Sequence, residues 1–283
     1  MLRSVAILDQ DGEVIANETN ILPVYSIAKT FIASAIRAAN IDPARHVADW
    51  ISSNWLPDPG GITVRHLLQH TAGLSDYTTL PEYHQAIERG DRAWSDAEYS
   101  RRTLHQPRAH HPGERFAYSN PGYWLLKKIL ELECNQPWPE ILEQLILKPL
   151  ALHDTRVQTG LFADRLPQYP AEWVWHGVIL SSALDIARFI HSDLVRGLQL
   201  DAARVNADQP PWVDPHYGYG VMIEPGIMYG HNGGGPGYTA SAFHFTQSGQ
   251  TGCVLLASDE HEGAMKMLVE LMNGKSRRPN VPT

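Results

Sequence analysis

The most informative stretch of the chain is residues 26–39, which read SIAKTFIASAIRAA. Its apolar residues recur at helical spacing with few polar residues between them, so we predict a helix from Ser26 to about Ala39. Because so little of its surface is polar, we expect this helix to be deeply buried. Ser26 and Lys29 stand at its start. Residues three apart lie on one face of a helix, so the hydroxyl and the amine are predicted to face one cavity.

The Ser26 and Lys29 pair has the character of a nucleophile with its base. At a helix N-terminus, free backbone N–H groups and the positive end of the helix dipole favour an oxyanion and disfavour a protonated amine. Burial penalises the charged lysine in the same direction, so Lys29 is predicted to help deprotonate Ser26. A chain of this length holds about one Ser-x-x-Lys by chance. The single match in this sequence falls on a helix start, which favours the functional interpretation.

Segments on either side of this helix carry strand and helix signals. A β-hairpin is predicted from residues 4–8 and 13–16 around the turn Asp11-Gly12. Helices are predicted in the middle of the chain over residues 63–70, 95–106, 121–133, 138–148 and 182–196. Strands are predicted near the other end over residues 217–223, 239–245 and 251–257, before a final helix from about residue 262 to 273.

Strands at both ends around a helical middle imply that the two ends of the chain meet in one sheet. The predicted fold class is α/β plus all-α, with an antiparallel β-sheet flanked by helices and an inserted helical lobe. Residues 1–40 and 176–283 are predicted to form the sheet domain, and residues 41–175 the inserted, mostly helical domain. We expect a cleft between them.

A second candidate motif is Tyr118-Ser119-Asn120, which follows Pro112-Gly113 at a predicted strand-to-helix junction. Such a junction can aim side chains into a cleft. A phenol beside a lysine can relay a proton, and an amide can hold a substrate carbonyl or the lysine itself. Taken alone, the triplet is more typical of a helix cap or a packed edge.

A third candidate motif is the glycine run at residues 231–237, HNGGGPG, just before the strand predicted from Thr239. Glycines let a ligand approach the backbone, and a free N–H at a strand edge can act as a second oxyanion donor. The alternative is a flexible β-turn. Among the His-x-Gly triplets of the chain, only the one at His231 has this glycine-rich context before a strand.

In this order the three motifs resemble those of the serine β-lactamase and penicillin-binding-protein family, specifically its class C branch with esterase and D-aminopeptidase relatives. The likeness extends to residues 67–74, 112–120 and 181–189, so it spans nearly the whole chain. The resemblance implies a β-lactamase/transpeptidase-like fold and a serine hydrolase that works through an acyl-enzyme.

The same resemblance assigns a role to each motif residue. It implies that Ser26 is the acylated nucleophile, Lys29 its activating partner and Tyr118 the proton shuttle. Asn120 would orient the substrate, and the backbone N–H groups of Ser26 and Gly234 would form the oxyanion hole. His231, Gly233 and Gly234 are the further predicted substrate-binding residues.

One departure from the family pattern bears on the substrate. Members that recognise penicillins or D-Ala-D-Ala termini usually carry Lys-Thr-Gly or Lys-Ser-Gly where this chain has His231-Asn232-Gly233. A neutral imidazole binds a carboxylate less well than a fixed ammonium. We therefore predict an esterase or a D-aminopeptidase-like enzyme acting on a neutral ester or amide. The alternatives are a β-lactamase or D,D-carboxypeptidase and, from another class, a non-catalytic ligand-binding module.

The composition argues against charged macromolecular partners. Lys and Arg number 23 against 31 Asp and Glu, a net charge of −8, and the one concentrated basic stretch is Lys275, Arg277 and Arg278. We expect no nucleic-acid and no membrane partner, but a small-molecule or peptide-like substrate; the oligomeric state is left open. The first apolar run is too short for a signal peptide and no run is long enough to span a membrane, so a cytoplasmic protein is expected.

Metal and redox chemistry receive little support. The two cysteines, Cys134 and Cys253, match no metal or redox spacing and are predicted to be buried thiols or, less favoured, one disulfide. His66 and His70 lie four apart on a predicted helix, but the neighbouring glutamate of a metalloprotease helix is missing. Local packing is favoured there, and the predicted chemistry needs no metal or organic cofactor.

Overall fold

An antiparallel sheet of eight strands forms the centre of the structure, a computed structural model that describes residues 2–162, 166–206 and 211–275. Arg277 and Arg278 of the basic stretch lie outside these residues. In chain order the strands are β1 (Arg3–Leu8), β2 (Val14–Glu18), β3 (Leu22–Pro23), β4 (Arg156–Gln158), β5 (Leu161–Phe162), β6 (Leu166–Pro170), β7 (Val178–Ser181), β8 (Ala203–Arg204), β9 (His216–Tyr217), β10 (Met222–Glu224), β11 (Met228–Gly235), β12 (Tyr238–Phe245) and β13 (Thr251–Leu256). The sheet order is β2-β1-β13-β12-β11-β10-β9-β8. A smaller sheet has the order β3-β7-β4, and β5 pairs with β6.

Helices cover the sheet and form the helical lobe. They are α1 (Ala28–Ala38), α2 (Val64–Leu68), α3 (Pro81–Glu88), α4 (Asp96–Thr103), α5 (Asn120–Cys134), α6 (Trp138–Leu142), α7 (Ala183–His191), α8 (Asp193–Arg196) and α9 (Gly263–Lys275). Helix α1 packs against α5 and α8, whereas α7 and α9 both pack against β12 and β13. Nine consecutive residues of α1, from 28 to 36, are buried, as its apolar sequence predicts.

The central strands are buried on both faces, and this fixes their register. In β13, Cys253 and Leu255 belong to the core that contains α1 and α7, whereas Val254 and Leu256 belong to the core under α9. Successive side chains of a strand point to opposite faces, so a slip of one residue would exchange the two sets.

The predicted meeting of the two chain ends is confirmed. Strand β1 pairs with β13, with Val5 opposite Val254, and with β2 through the predicted hairpin. The predicted fold class, an antiparallel sheet with flanking helices and a helical insertion, is confirmed as well. The domain boundaries at residues 40/41 and 175/176 stay a prediction.

Three predictions of local structure are wrong. Residues 217–223 are not one strand, because β9 ends at Tyr217 and β10 begins at Met222. Between them Gly220 has a φ of +69°, and a β-carbon there would lie 2.8 Å from the Lys29 carbonyl oxygen, so the chain turns here to pack on α1. A loop, not a strand, precedes Asn120 at the start of α5. The helix predicted over residues 182–196 is divided into α7 and α8, because Ser192 between them has an extended backbone. Helix α3 lies in a stretch for which no helix was predicted.

The glycine run at residues 231–237 is a strand rather than a flexible turn. Strand β11 continues to Gly235 and pairs with β12 along its whole length, and only Pro236 and Gly237 form the turn. Its other neighbour, β10, pairs with residues 228–230 alone. The glycines therefore lie on a stretch of β11 whose second edge faces the segment before α1.

The structure also tests the predictions about the two cysteines and about membrane-spanning segments. Cys134 and Cys253 are free thiols, so the disulfide alternative is wrong. No helix in the described ranges combines the length and the apolar character that crossing a membrane requires.

Candidate active site

The chain reaches Ser26 through a residue in an unusual backbone conformation. Tyr25 has a φ of +42°, in the left-handed region that non-glycine residues rarely adopt. Its hydroxyl donates to the carbonyl oxygen of Pro236 at 2.8 Å, and its ring lies so close to Gly235 that a β-carbon there would be 2.3 Å from it. Ser26 is thus placed on a short 3₁₀ turn, residues 25–27, pressed against the end of β11, and the α-helix itself begins only at Ala28.

Lys29 lies directly beneath Ser26 and has no solvent exposure. Its Nζ is 3.1 Å from Ser26 Oγ, 2.7 Å from Asn120 Oδ1 and 3.3 Å from His176 Nε2. Burial lowers the pKa of Lys29 to about 7, against an opposing effect of the Asp76 carboxylate. A large share of the amine is therefore neutral near pH 7, the state that can accept a proton from Ser26.

Tyr118 reaches Ser26 from the opposite side. Its hydroxyl donates to Ser26 Oγ at 3.0 Å, and its ring lies with the centroid 5.0 Å from Lys29 Nζ. Desolvation of the Tyr118 hydroxyl raises the pKa of the phenol well above its usual range, although the residue as a whole is 37% exposed, so the phenol keeps its proton at neutral pH. The Ser26 hydroxyl is thus held between a proton acceptor and a proton donor.

Asn120 is oriented by a carboxylate that the sequence analysis missed. Asp76 Oδ2 accepts hydrogen bonds from the Asn120 backbone N–H at 2.7 Å and from Nδ2 at 2.9 Å. This leaves Oδ1 of Asn120 facing Lys29. The local signal at Asp76 is its cap on the backbone N–H of Thr78, whereas its link to Asn120 spans 44 residues and has no sequence signature.

His70 packs against Tyr118 and does not form a metal-binding pair with His66. Its Nδ1 accepts from the backbone N–H of Ser119 at 3.0 Å, and its ring contacts that of Tyr118 in a tilted arrangement with centroids 4.2 Å apart. His66 instead accepts from the N–H of Thr63 at 3.1 Å within the cap of α2. Among the residues that the structure describes, no group of three His, Cys, Asp or Glu is arranged to hold a metal ion.

His231 is not brought into the Ser26 cluster as a partner. Its side chain is buried on β11, with Nε2 2.9 Å from the hydroxyl of Tyr217, and burial lowers its pKa to about 3. In the described part of the chain it makes no hydrogen bond to Ser26, Lys29 or Tyr118. Its role in substrate binding stays a prediction.

The neighbouring glycines are placed closer to the nucleophile. A β-carbon at Gly233 would lie 2.1 Å from the carbonyl oxygen of Val24 and 3.3 Å from the backbone nitrogen of Ser26, so only glycine fits. Gly234 is exposed on the opposite face of the strand, near His261. The backbone of β11 therefore runs alongside Ser26, as a strand that supplies an oxyanion donor would, and the N–H of Gly234 as that donor stays a prediction.

Comparison with known sequences gives one family. A family model described as Beta-lactamase matches residues 4–271. Penicillin-binding protein 4* of Bacillus subtilis (strain 168) is 24% identical over 248 residues, which are 74% of this chain and 54% of that protein. Protein flp of Staphylococcus aureus (strain N315) is 29% identical over 156 residues, 52% of this chain and 30% of that protein. The chain thus spans about half the length of these relatives, or less.

Solved structures share the fold over nearly the whole chain. A D-stereospecific amidohydrolase from Streptomyces sp. has a TM-score of 0.79 at 21% identity, covering 95% of this chain and 92% of that one. The D-amino acid amidase of Ochrobactrum anthropi SV3 has a TM-score of 0.78 at 20% identity, covering 96% and 95%. An octameric penicillin-binding protein homologue from Pyrococcus abyssi has a TM-score of 0.75 at 22% identity, covering 96% and 73%. At these identities the likeness establishes the fold.

Proposed function

This chain belongs to the beta-lactamase family, and we propose that it is a serine hydrolase that forms an acyl-enzyme at Ser26 with a neutral ester or amide. The observation that carries the proposal is the position of Ser26 Oγ, 3.1 Å from the amine of Lys29 and 3.0 Å from the hydroxyl of Tyr118. A nucleophile held between a buried base and a phenol has both proton transfers of an acyl transfer within reach.

The acylation step follows from these contacts. Ser26 Oγ attacks the carbonyl carbon while its proton passes to the lone pair of Lys29, and the carbonyl electron pair moves to oxygen. The N–H groups of Ser26 and Gly234 stabilise that oxyanion. When the tetrahedral intermediate collapses, the bond to the leaving group breaks and Tyr118 gives its proton to the departing oxygen or nitrogen. The Lys29 ammonium then returns a proton to Tyr118, and water releases the acyl group by the reverse sequence.

The surroundings of the site support an uncharged substrate. A cavity of about 210 Å³ beside Tyr118 is lined by Phe116, Tyr118, Val205, Trp212, Pro215, His216, Tyr217 and Met222, none of which carries a fixed charge. His231, at the position of the usual lysine, is neutral and hydrogen-bonded to Tyr217. A substrate carboxylate would meet no fixed cation there, which favours a neutral ester or amide over a penicillin or a D-Ala terminus.

The test is Ser26-dependent labelling of the intact protein. We expect a fluorophosphonate to add once to the wild type and to the control Ser34→Ala, which removes a buried hydroxyl of α1 that has no hydrogen-bond partner among the described residues. Ser26→Ala should remain folded, escape labelling and lose at least about 10³-fold in turnover. A folded wild type that is never labelled would contradict the proposal and favour a ligand-binding module.

The substrate class is tested with three compounds in parallel. We expect turnover of p-nitrophenyl acetate and of a D-amino-acid amide, and slow or absent turnover of benzylpenicillin. Rapid Ser26-dependent hydrolysis of benzylpenicillin would instead make the protein a β-lactamase. In that case His231→Lys, which restores the usual cation, should raise the rate further.

A further inference from the structure

A second buried side chain contacts the amine of Lys29 and has no assigned role. His176 is 3% exposed and lies between a 3₁₀ turn, Ala171–Trp173, and strand β7. Its Nε2 is 3.3 Å from Lys29 Nζ, and its Nδ1 is buried without a hydrogen-bond partner in the described part of the chain. Burial and the nearby cations Lys29 and Lys127 keep its pKa well below the usual histidine value, so the ring is neutral.

The hydrogen bonds around Lys29 settle which atom each neighbour presents to it. Asn120 Nδ2 is bound to Asp76, so Oδ1 faces the amine and can only accept. Ser26 Oγ accepts from the Tyr118 hydroxyl, so its own proton needs an acceptor, and Lys29 Nζ is the one beside it. A neutral amine has two N–H bonds and one lone pair. With the lone pair toward Ser26 and one N–H toward Asn120, the second N–H points to His176.

We propose that His176 is a positioning residue for the Lys29 base: its Nε2 accepts the second N–H of the neutral amine and so, together with Asn120, aims the lone pair at the Ser26 hydroxyl. This inference rests on the proposed function. It assigns the proton of the imidazole to Nδ1. After Lys29 takes the Ser26 proton, its three N–H bonds face the same three acceptors, so the transfer needs no reorientation of the side chain.

Neighbouring residues hold His176 in this position. Lys127 on α5 donates to the carbonyl oxygen of Trp175, which fixes the backbone immediately before the imidazole. Gly177, directly after it, has a φ of +95°, a conformation in which a side chain would be strained. The chain therefore leaves His176 through a turn that glycine makes accessible.

The charged and titratable groups around Lys29 determine the expected pH effect. The Asp76 carboxylate, which accepts a hydrogen bond from Asn120, raises the pKa of Lys29. Lys127 lies close enough to His176 to lower the pKa of that imidazole. His70 and His231 are neutral, and the rings of Tyr118 and Tyr123 lie with their centroids 5.0 and 5.7 Å from Nζ. Removing the His176 acceptor costs the ammonium a charge-assisted hydrogen bond and costs the neutral amine only a weaker one. The pKa of Lys29 should therefore fall further.

The experiment measures the pH dependence of kcat and kcat/KM for p-nitrophenyl acetate in His176→Leu, His176→Gln and the wild type. The control is His110→Leu, which also removes a buried imidazole: within the described ranges, one of its nitrogens has no partner and the ring makes no hydrogen bond to Ser26 or Lys29. We expect kcat of His176→Leu to fall about 10- to 100-fold with little change in KM. The acid limb of kcat/KM should move to lower pH. His176→Gln, which keeps an acceptor, should recover part of the rate, and His110→Leu should follow the wild type.

Two results would overturn the inference. One is a His176→Leu variant that is folded, as judged by melting temperature and circular dichroism, but behaves like the wild type. Its kcat would lie within about twofold of the wild-type value, and its acid limb within roughly 0.2 pH units. The other is an acid limb that moves to higher pH, which would mean that His176 donates to the lone pair of Lys29. Failure of the proposed function is distinct, because it shows in the wild type as turnover that survives Ser26→Ala.

Discussion

The two sides of Ser26 are built by different means. On the inner side, Lys29, Asn120, Asp76 and His176 come from distant parts of the chain and form a hydrogen-bonded network around the amine. On the outer side, a cavity beside Tyr118 is lined mainly by aromatic and apolar side chains, and none of its lining residues carries a fixed charge. We infer that the inner side sets the rate for every substrate, whereas the outer side selects among substrates.

The largest effect on the inner side is expected from removing the base. Lys29→Met keeps the length of the side chain but cannot take the Ser26 proton, so kcat should fall about 10²- to 10⁴-fold for esters and amides alike. The control Lys148→Met removes an exposed lysine on the surface and should leave kcat unchanged. Loss of activity for amides alone would contradict a common inner side, because it would mean that Lys29 serves one leaving group only.

Lys29 also makes the stability depend on pH in a direction that follows from its pKa. Burial lowers that pKa from 10.5 to about 7 in the folded chain, so between these values the unfolded chain binds more protons than the folded one. The free energy of unfolding should therefore rise with pH through this window. Urea denaturation at pH 7 and pH 9.5 should show a smaller rise for Lys29→Met than for Lys148→Met. An equal rise in both variants would show that Lys29 is not the group responsible.

A smaller decrease in kcat is expected from a change at Asp76, which contacts Lys29 only through Asn120. Asp76→Asn keeps an oxygen that can accept from Thr78, so the local turn survives, but it removes the charge that holds the Asn120 amide. We expect kcat to fall about 10-fold. Because the Asp76 carboxylate raises the pKa of Lys29, the acid limb of kcat/KM should shift to lower pH.

The control for that experiment is Asp49→Asn, at an exposed aspartate paired with Arg45. It should match the wild type in both kcat and pH profile. If Asp76→Asn lowered the melting temperature strongly but left the rate of the folded fraction intact, Asp76 would be a structural cap and not part of the inner network.

The contrast between the two sides also explains what could be predicted from the sequence. The fold class and the adjacency of Ser26 and Lys29 follow from patterns that act over short distances, namely the strand and helix signals along the chain and a spacing of three residues. The hairpin β1–β2 is likewise set by a local turn. Signals of this kind lie in residues that are close together in the sequence. The family was indicated by the resemblance of three motifs to those of known members. The predicted family and the predicted fold class are confirmed.

The contacts of Asp76 and His176 could not be predicted in the same way. They join positions that lie 44 and 147 residues from Asn120 and Lys29, and neither residue stands in a distinctive local pattern. A flexible turn stayed an alternative for the glycine run because glycine has a low intrinsic strand preference. The tertiary requirement that nothing larger fits beside Val24 and Tyr25 overrides that preference at Gly233 and Gly235.

The smallest change in activity is expected from a substitution on the outer side. It is also the sharpest test of the distinction between the inner and the outer side of Ser26. Trp212 lines the cavity beside Tyr118 and packs on Phe243, with ring centroids 5.8 Å apart. Trp212→Ala should lower kcat/KM for a phenylacetyl or hexanoyl ester about 10-fold and leave the acetyl ester within about threefold, because only the larger acyl groups reach the apolar wall. Trp50→Ala, at the stacked Arg45 site, is the matched control. An equal loss for acetyl and hexanoyl esters would mean that Trp212 supports the catalytic geometry, and the division of Ser26 into a rate-setting and a selecting side would then be wrong.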